Sequence, residues 1–113
     1  MASNTIVLIT GANTGLGFET VKALCQSSKA YTILLGGRDL EKANAAAQEA
    51  KKLFPESPSN ITAVKLDIED DNSILQAFEH VSSYFGHLDV LINNAGDSLR
   101  KLLKNDDKRL IRV

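Results

Sequence analysis

The chain has 113 residues, 43% of them apolar, and 13 Lys and Arg stand against 14 Asp and Glu for a formal net charge of −1. That length suits one domain with a modest core, and that composition excludes a disordered chain. The near-neutral balance gives no footing for nucleic acid or an acidic membrane as the main partner, and no apolar run approaches the length of a membrane span.

Strand and helix signals alternate along the chain. Residues 5–10 read as a strand whose Ile6-Val7-Leu8-Ile9 run is apolar throughout. A glycine-rich turn follows, Thr10-Gly11-Ala12-Asn13-Thr14-Gly15-Leu16-Gly17. A helix over 15–28 comes next, with Phe18, Val21, Leu24 and Cys25 on one face. Tyr31 to Leu35 forms a second strand, closed by Gly36-Gly37, and Asp39 is placed to cap a helix over Leu40 to Phe54. Leu40, Ala43, Ala47, Ala50 and Phe54 make a narrow apolar stripe on that helix. Pro55 and Pro58 break the chain before a third strand, Ile61 to Leu66. Asp71 or Asn72 caps a third helix, whose Ile74, Phe78, Val81 and Phe85 share a face and which Gly86 stops. Leu88 to Ile92 is a fourth strand, ending in Asn93-Asn94-Ala95-Gly96. Residues 97–113 are a divergent charged tail with two readings, an amphipathic helix or a partly frayed segment.

Strands joined by helical crossovers run parallel, and crossovers are right-handed. Wholly apolar strands belong to a sheet covered on both faces. The fold class is therefore α/β: a doubly wound parallel sheet of about four strands in order 3-2-1-4, truncated after strand 4. Its switch point lies between strands 1 and 4, and ligands bind there, beyond the strand carboxyl ends. The glycine turn and the Asn-Asn-Ala-Gly turn both open at that crevice.

A glycine-rich turn between a strand and a helix builds an anion site. The first N–H groups of a helix lack intrahelical acceptors, and the helix dipole adds positive charge. Glycine lets the chain turn tightly and lets a pyrophosphate approach the backbone. The end of strand 2 bears on the choice between NAD and NADP. Arg38 there suits charge-assisted bonds to a 2′-phosphate, which favours NADP. Asp39 is the rival ribose acid, but its place before a helical run suits capping. Asp67, after strand 3, has two readings: a carboxylate capping a turn, or one that recognises adenine. Cys25 is the only cysteine, so no internal disulfide forms. It reads as a packing residue, and cytoplasmic placement is the default. His80 and His87 read as surface residues without metal-ligand spacing.

Together these residues resemble the short-chain dehydrogenase/reductase family. Thr10-Gly11-Ala12-Asn13-Thr14-Gly15-Leu16-Gly17 is similar to its T-G-x-x-x-G-x-G motif, and Asn93-Asn94-Ala95-Gly96 to its N-N-A-G motif. Leu66-Asp67-Ile68 resembles the strand end that meets adenine, and Gly37-Arg38-Asp39 resembles NADP-preferring members. The resemblance implies a Rossmann-like cofactor-binding half over residues 1–96. In it Gly11 and the backbone from Asn13 through Gly17 (Thr14, Gly15 and Leu16 included) hold the pyrophosphate and near the nicotinamide. It also implies that Arg38 holds the 2′-phosphate, that Asp67 and Ile68 meet adenine, and that Asn93, Asn94, Ala95 and Gly96 line the ribose side. The family's proton-transfer machinery is a Tyr-x-x-x-Lys pair with a serine. Here Tyr31 and Tyr84 are followed four residues later by Leu35 and Leu88, so no catalytic residue carries over. The expected function is the NADP(H)-binding portion of an oxidoreductase for a carbonyl or alcohol, not catalytic as this chain alone. The alternative is a binding or regulatory module that pairs with itself or a full-length relative.

Overall fold

Four short apolar runs become the strands of one parallel sheet, and each is led to the next by a helix. The computed structural model describes residues 4–13 and 15–94. In chain order the elements are β1 (Thr5–Ile9), α1 (Gly15–Gln26), β2 (Tyr31–Gly37), α2 (Leu40–Leu53), β3 (Asn60–Lys65), α3 (Asp71–Phe85) and β4 (Val90–Ile92). The strand order is β3-β2-β1-β4, as the sequence implies. Val7 lies opposite Ile33 on β2 and Val90 on β4, and Leu35 lies opposite Ala63 on β3. The tail beyond residue 96, read above as helical or partly frayed, lies outside the described residues.

The apolar run of β1 is explained by its two covered faces. Val7 and Ile9 point to one side, where Val21 and Cys25 of α1 and Ala43, Ala47 and Ala50 of α2 pack with Ile33 and Leu35. Ile6 and Leu8 point to the other, against Ile74, Ala77, Phe78 and Val81 of α3. Burying a side chain such as Leu8, which has no exposed surface, contributes roughly 1.5–3 kcal/mol. On α2 the expected stripe shifts by one residue. Leu40 is exposed and Ala46 is buried instead, so the helix meets the sheet almost wholly through methyl groups.

Three local expectations are corrected. Gly36 and Gly37 do not close β2 but extend it, pairing with Val64 and Lys65. A side chain at Gly36 would put its Cβ 2.9 Å from the Ile9 carbonyl oxygen, so glycine is what lets the two strand ends approach. The cap of α3 is Asp70, not Asp71 or Asn72. Its backbone is extended, and its carboxylate accepts from the N–H groups of Asn72 and Ser73 at 3.0 and 3.4 Å. α1 ends at Gln26, where the Ser27 N–H donates to the Leu24 carbonyl in a tightened turn. Asp39 caps α2 as expected, accepting from Glu41 and Lys42. Gly86 stops α3 in the left-handed conformation that glycine adopts without steric cost.

Candidate functional site

The carboxyl ends of all four strands deliver their loops to one side of the sheet. Gly11 and Gly15 adopt φ values of 57° and 60°, the left-handed region where a Cβ is disfavoured. Among the described residues nothing lies within 4 Å of where a Cβ at Gly15 would stand. Gly17 is the opposite case. A Cβ there would collide with the Gly11 carbonyl oxygen and stand 2.7 Å from Asn94 Nδ2. The turn is thus a bare cradle on one side and a tight wedge on the other. No acidic residue stands in the first turn of α1, whereas α2 and α3 carry Glu41 and Asp71 there. An anion at the start of α1 therefore meets the helix dipole without carboxylate competition from that turn. Leu16 is 77% exposed beside it.

Thr10 ties this turn to the loop after β4. Its buried hydroxyl donates to Asn93 Oδ1 at 3.2 Å and accepts from the Asn94 N–H at 2.8 Å. Asn94 Nδ2 in turn donates to the Gly11 carbonyl at 3.4 Å. In the sequence Thr10 only opens the glycine motif; its role as the tie between the two loops shows in the fold. Its signal was a hydroxyl at the end of an otherwise apolar strand.

Beside the turn lies a cavity of about 330 Å³, lined by Gly11, Asn13, Arg38, Asp39, Lys42, Leu66, Asp67, Ile68 and Glu69. Five of the expected residues, Gly11, Asn13, Arg38, Asp67 and Ile68, thus meet at one hollow. Gly15, Leu16, Gly17, Asn93 and Asn94 lie outside its lining, on the turn and the β4 loop that Thr10 joins. Thr14, Ala95 and Gly96 lie outside the described residues. Asp67 caps its turn, its Oδ1 accepting from the Glu69 N–H at 3.0 Å, and the residue also lines the cavity. Lys42 and Glu69 were not anticipated. Lys42 sits in the first turn of α2, past the Asp39 cap, and no motif in the sequence ties it to Arg38. The glycine cradle, the bare first turn of α1 and a polar hollow beside an arginine suit a nucleotide with phosphates.

Other candidates resolve into packing or surface contacts. Cys25 is buried, and burial pushes its thiol pKa up, against a lowering hydrogen bond from Ser57. His80 is exposed and packs on the Tyr84 ring, 4.5 Å between centroids, while His87 pairs with Asp89 at 3.2 Å. Two hollows of about 490 Å³ flank the Phe54–Pro58 loop, at the opposite ends of the strands. Among the described residues, no helix is long and apolar enough to cross a membrane.

The family model for short chain dehydrogenase matches residues 5–113. The short-chain dehydrogenase/reductase tropE of Talaromyces stipitatus is 42% identical over 100 residues, covering 88% of this chain and 38% of that protein. This chain therefore spans well under half the length of that relative. Among solved structures, menthone neomenthol reductase from Mentha piperita superposes with a TM-score of 0.74 at 31% identity, covering 92% of this chain and 39% of the other. L-sorbose reductase from Gluconobacter frateurii, complexed with NADPH and L-sorbose, gives a TM-score of 0.69 at 27% identity, covering 83% and 34%. A putative D-mannonate oxidoreductase from Haemophilus influenza with bound NAD gives 0.67 at 26%, covering 83% and 31%.

Proposed function

The chain belongs to the short-chain dehydrogenase family, and from that premise we propose that residues 1–96 are the NADP(H)-holding portion of an oxidoreductase that interconverts a carbonyl and an alcohol. Residues 97–113 are the charged stretch that follows, still within the span that the family model matches. The observation that carries this reading is the gathering of Gly11, Asn13, Arg38, Asp67 and Ile68 around one cavity beside a glycine cradle. When bound, the nicotinamide supplies the hydride. The backbone N–H groups from Asn13 to Gly17 hold the pyrophosphate, with Leu16 covering the nicotinamide side. Asp67 and Ile68 receive adenine, and Asn93, Asn94, Ala95 and Gly96 flank the ribose. Arg38 holds the 2′-phosphate. Asp39, the residue that would instead select NAD, spends its carboxylate on the N–H groups of Glu41 and Lys42.

Neither tyrosine of this sequence begins a Tyr-x-x-x-Lys pair, since Leu35 and Leu88 stand at the lysine positions. The 113-residue chain therefore binds the cofactor but reduces no aldehyde or ketone. Titration calorimetry with NADP and NAD tests the cofactor assignment. NADP binds the more tightly, and NAD binding as well or better would refute the role given to Arg38.

A second reading, pairing with another copy or a full-length relative, is favoured by β4, which among the described strands pairs only with β1. A strand edge of that kind offers ladder groups to a partner. Sedimentation equilibrium of the chain, alone and with a relative, tests it. The single, buried cysteine is in keeping with a cytoplasmic setting.

A further inference from the structure

We propose that Lys42 is a specificity-determining residue of the nucleotide site, a second cation that joins Arg38 in selecting a phosphate at the ribose 2′ position. The proposal rests on the nicotinamide-nucleotide reading above and adds to it a residue that the motifs do not contain.

Charge balance leads to Lys42. The cavity lining carries three carboxylates, Asp39, Asp67 and Glu69. With Arg38 as its only cation the lining would be two charges negative; Lys42 halves that excess, and what remains decisive is where the cations stand. Lys42 is the second cation of that lining. The two cations stand together at the junction of β2 and α2, while Asp67 and Glu69 lie on the segment after β3. A dianion is therefore drawn to the β2–α2 side.

The usual alternative for holding a phosphate at that junction is closed. The N-terminus of α2 would bind an anion through its free N–H groups. The N–H groups of Glu41 and Lys42 already donate to the Asp39 carboxylate at 2.9 and 3.3 Å. That carboxylate also offsets the helix dipole. Recognition at this end thus falls to side-chain cations. Both are uncommitted: among the described residues the ion pairs are Lys22–Glu19 and His87–Asp89, and neither involves Arg38 or Lys42. Arg38 offers a planar fork and Lys42 a mobile point charge, so the pair can take different oxygens of one phosphate.

The test uses the full 113-residue chain and two probes that differ only in the 2′-phosphate, adenosine 2′,5′-bisphosphate and 5′-AMP, titrated by calorimetry. The wild-type chain binds the bisphosphate more tightly. Lys42→Gln weakens the bisphosphate about tenfold, as expected for losing one charge-assisted contact, and leaves 5′-AMP unchanged. Lys42→Arg retains the preference, and Lys52→Gln, the same charge change near the far end of α2, has no effect. Raising the ionic strength narrows the wild-type preference more than that of Lys42→Gln. Unaltered bisphosphate affinity in Lys42→Gln overturns the inference and leaves the nucleotide reading intact. Equal weakening of both probes also overturns it, because Lys42 would then act as general attraction. If neither probe binds the wild-type chain, the nucleotide reading itself falls and this inference falls with it.

Discussion

Replacing Gly17 by alanine separates helix propensity from close packing, because the two predict opposite signs. At an open position within a helix, alanine is favoured over glycine by about 1 kcal/mol. Gly17 is a buried residue of α1 with ordinary helical φ, so propensity alone makes the variant more stable. The contacts oppose this. The new Cβ collides with the Gly11 carbonyl oxygen and lies 2.7 Å from Asn94 Nδ2 and 2.8 Å from Ala12 Cα. Carbon atoms prefer about 3.5–4.0 Å, and two of the three obstructing atoms are backbone. Relief therefore requires one loop to move by about 1 Å. Overpacking of this kind costs about 1–3 kcal/mol, and backbone neighbours place it at the upper end. The net expectation is a loss of about 2 kcal/mol after the propensity gain. It is read as a lower urea midpoint at unchanged slope. Because the displaced atoms belong to the two loops that Thr10 joins, affinity for the proposed nucleotide is expected to fall as well. Gly15→Ala is the control. It meets no atom of the described residues within 4 Å, and its cost comes only from φ +60°, about 1–2 kcal/mol. A Gly17→Ala chain at least as stable as the wild type would falsify the wedge.

Thr10→Val keeps the shape of the side chain but removes the hydroxyl that donates to Asn93 Oδ1 and accepts from the Asn94 N–H; we expect a loss of about 1 kcal/mol in urea unfolding, against no change if those bonds are idle. Asp70→Ala removes the cap of α3 and costs about 0.5–2 kcal/mol, whereas Asn72→Ala at the neighbouring position costs far less; the reverse order would return the cap to Asn72. The raised Cys25 thiol makes stability depend on pH in a fixed direction. The folded chain holds the neutral thiol, so its contribution is complete below the unfolded thiol's range, near pH 8.5, and is lost as pH rises through the folded value. Cys25→Ala should flatten that alkaline decline, and iodoacetamide should label native Cys25 slowly until denaturant is added. An alkaline limb identical in the variant would contradict this.

What the sequence made legible followed from patterns with one solution. An apolar run such as Ile6 to Ile9 has nowhere to go but a strand covered twice, and Asp39 directly before Leu-Glu-Lys has one neighbouring helix to cap. Where neighbours compete, the sequence alone was ambiguous. Asp70, Asp71 and Asn72 are all good caps, and only the extended backbone at Asp70 decides among them. Gly36 and Gly37 read as stops because glycine usually punctuates; in the fold Gly36 lies close against the Ile9 carbonyl of β1 and Gly37 against Ala43 and Asn13, neighbours that the local sequence does not reveal. Lys42 escaped notice because the motif ends at Asp39, and only the first turn of α2 brings the lysine to the same hollow.

Thr10 and Asn94 lie 84 positions apart, whereas β1 meets β2 after only 26 residues. Closing the longer span costs about 1 kcal/mol more in chain entropy. The two halves of the crevice thus come together through the most distant pairing in the sheet, and a newly made chain reaches that stage only once β4 has emerged. A nucleotide that bridges both loops would act as a clasp on that late closure, so metabolite level would set how much of the chain is held in finished form.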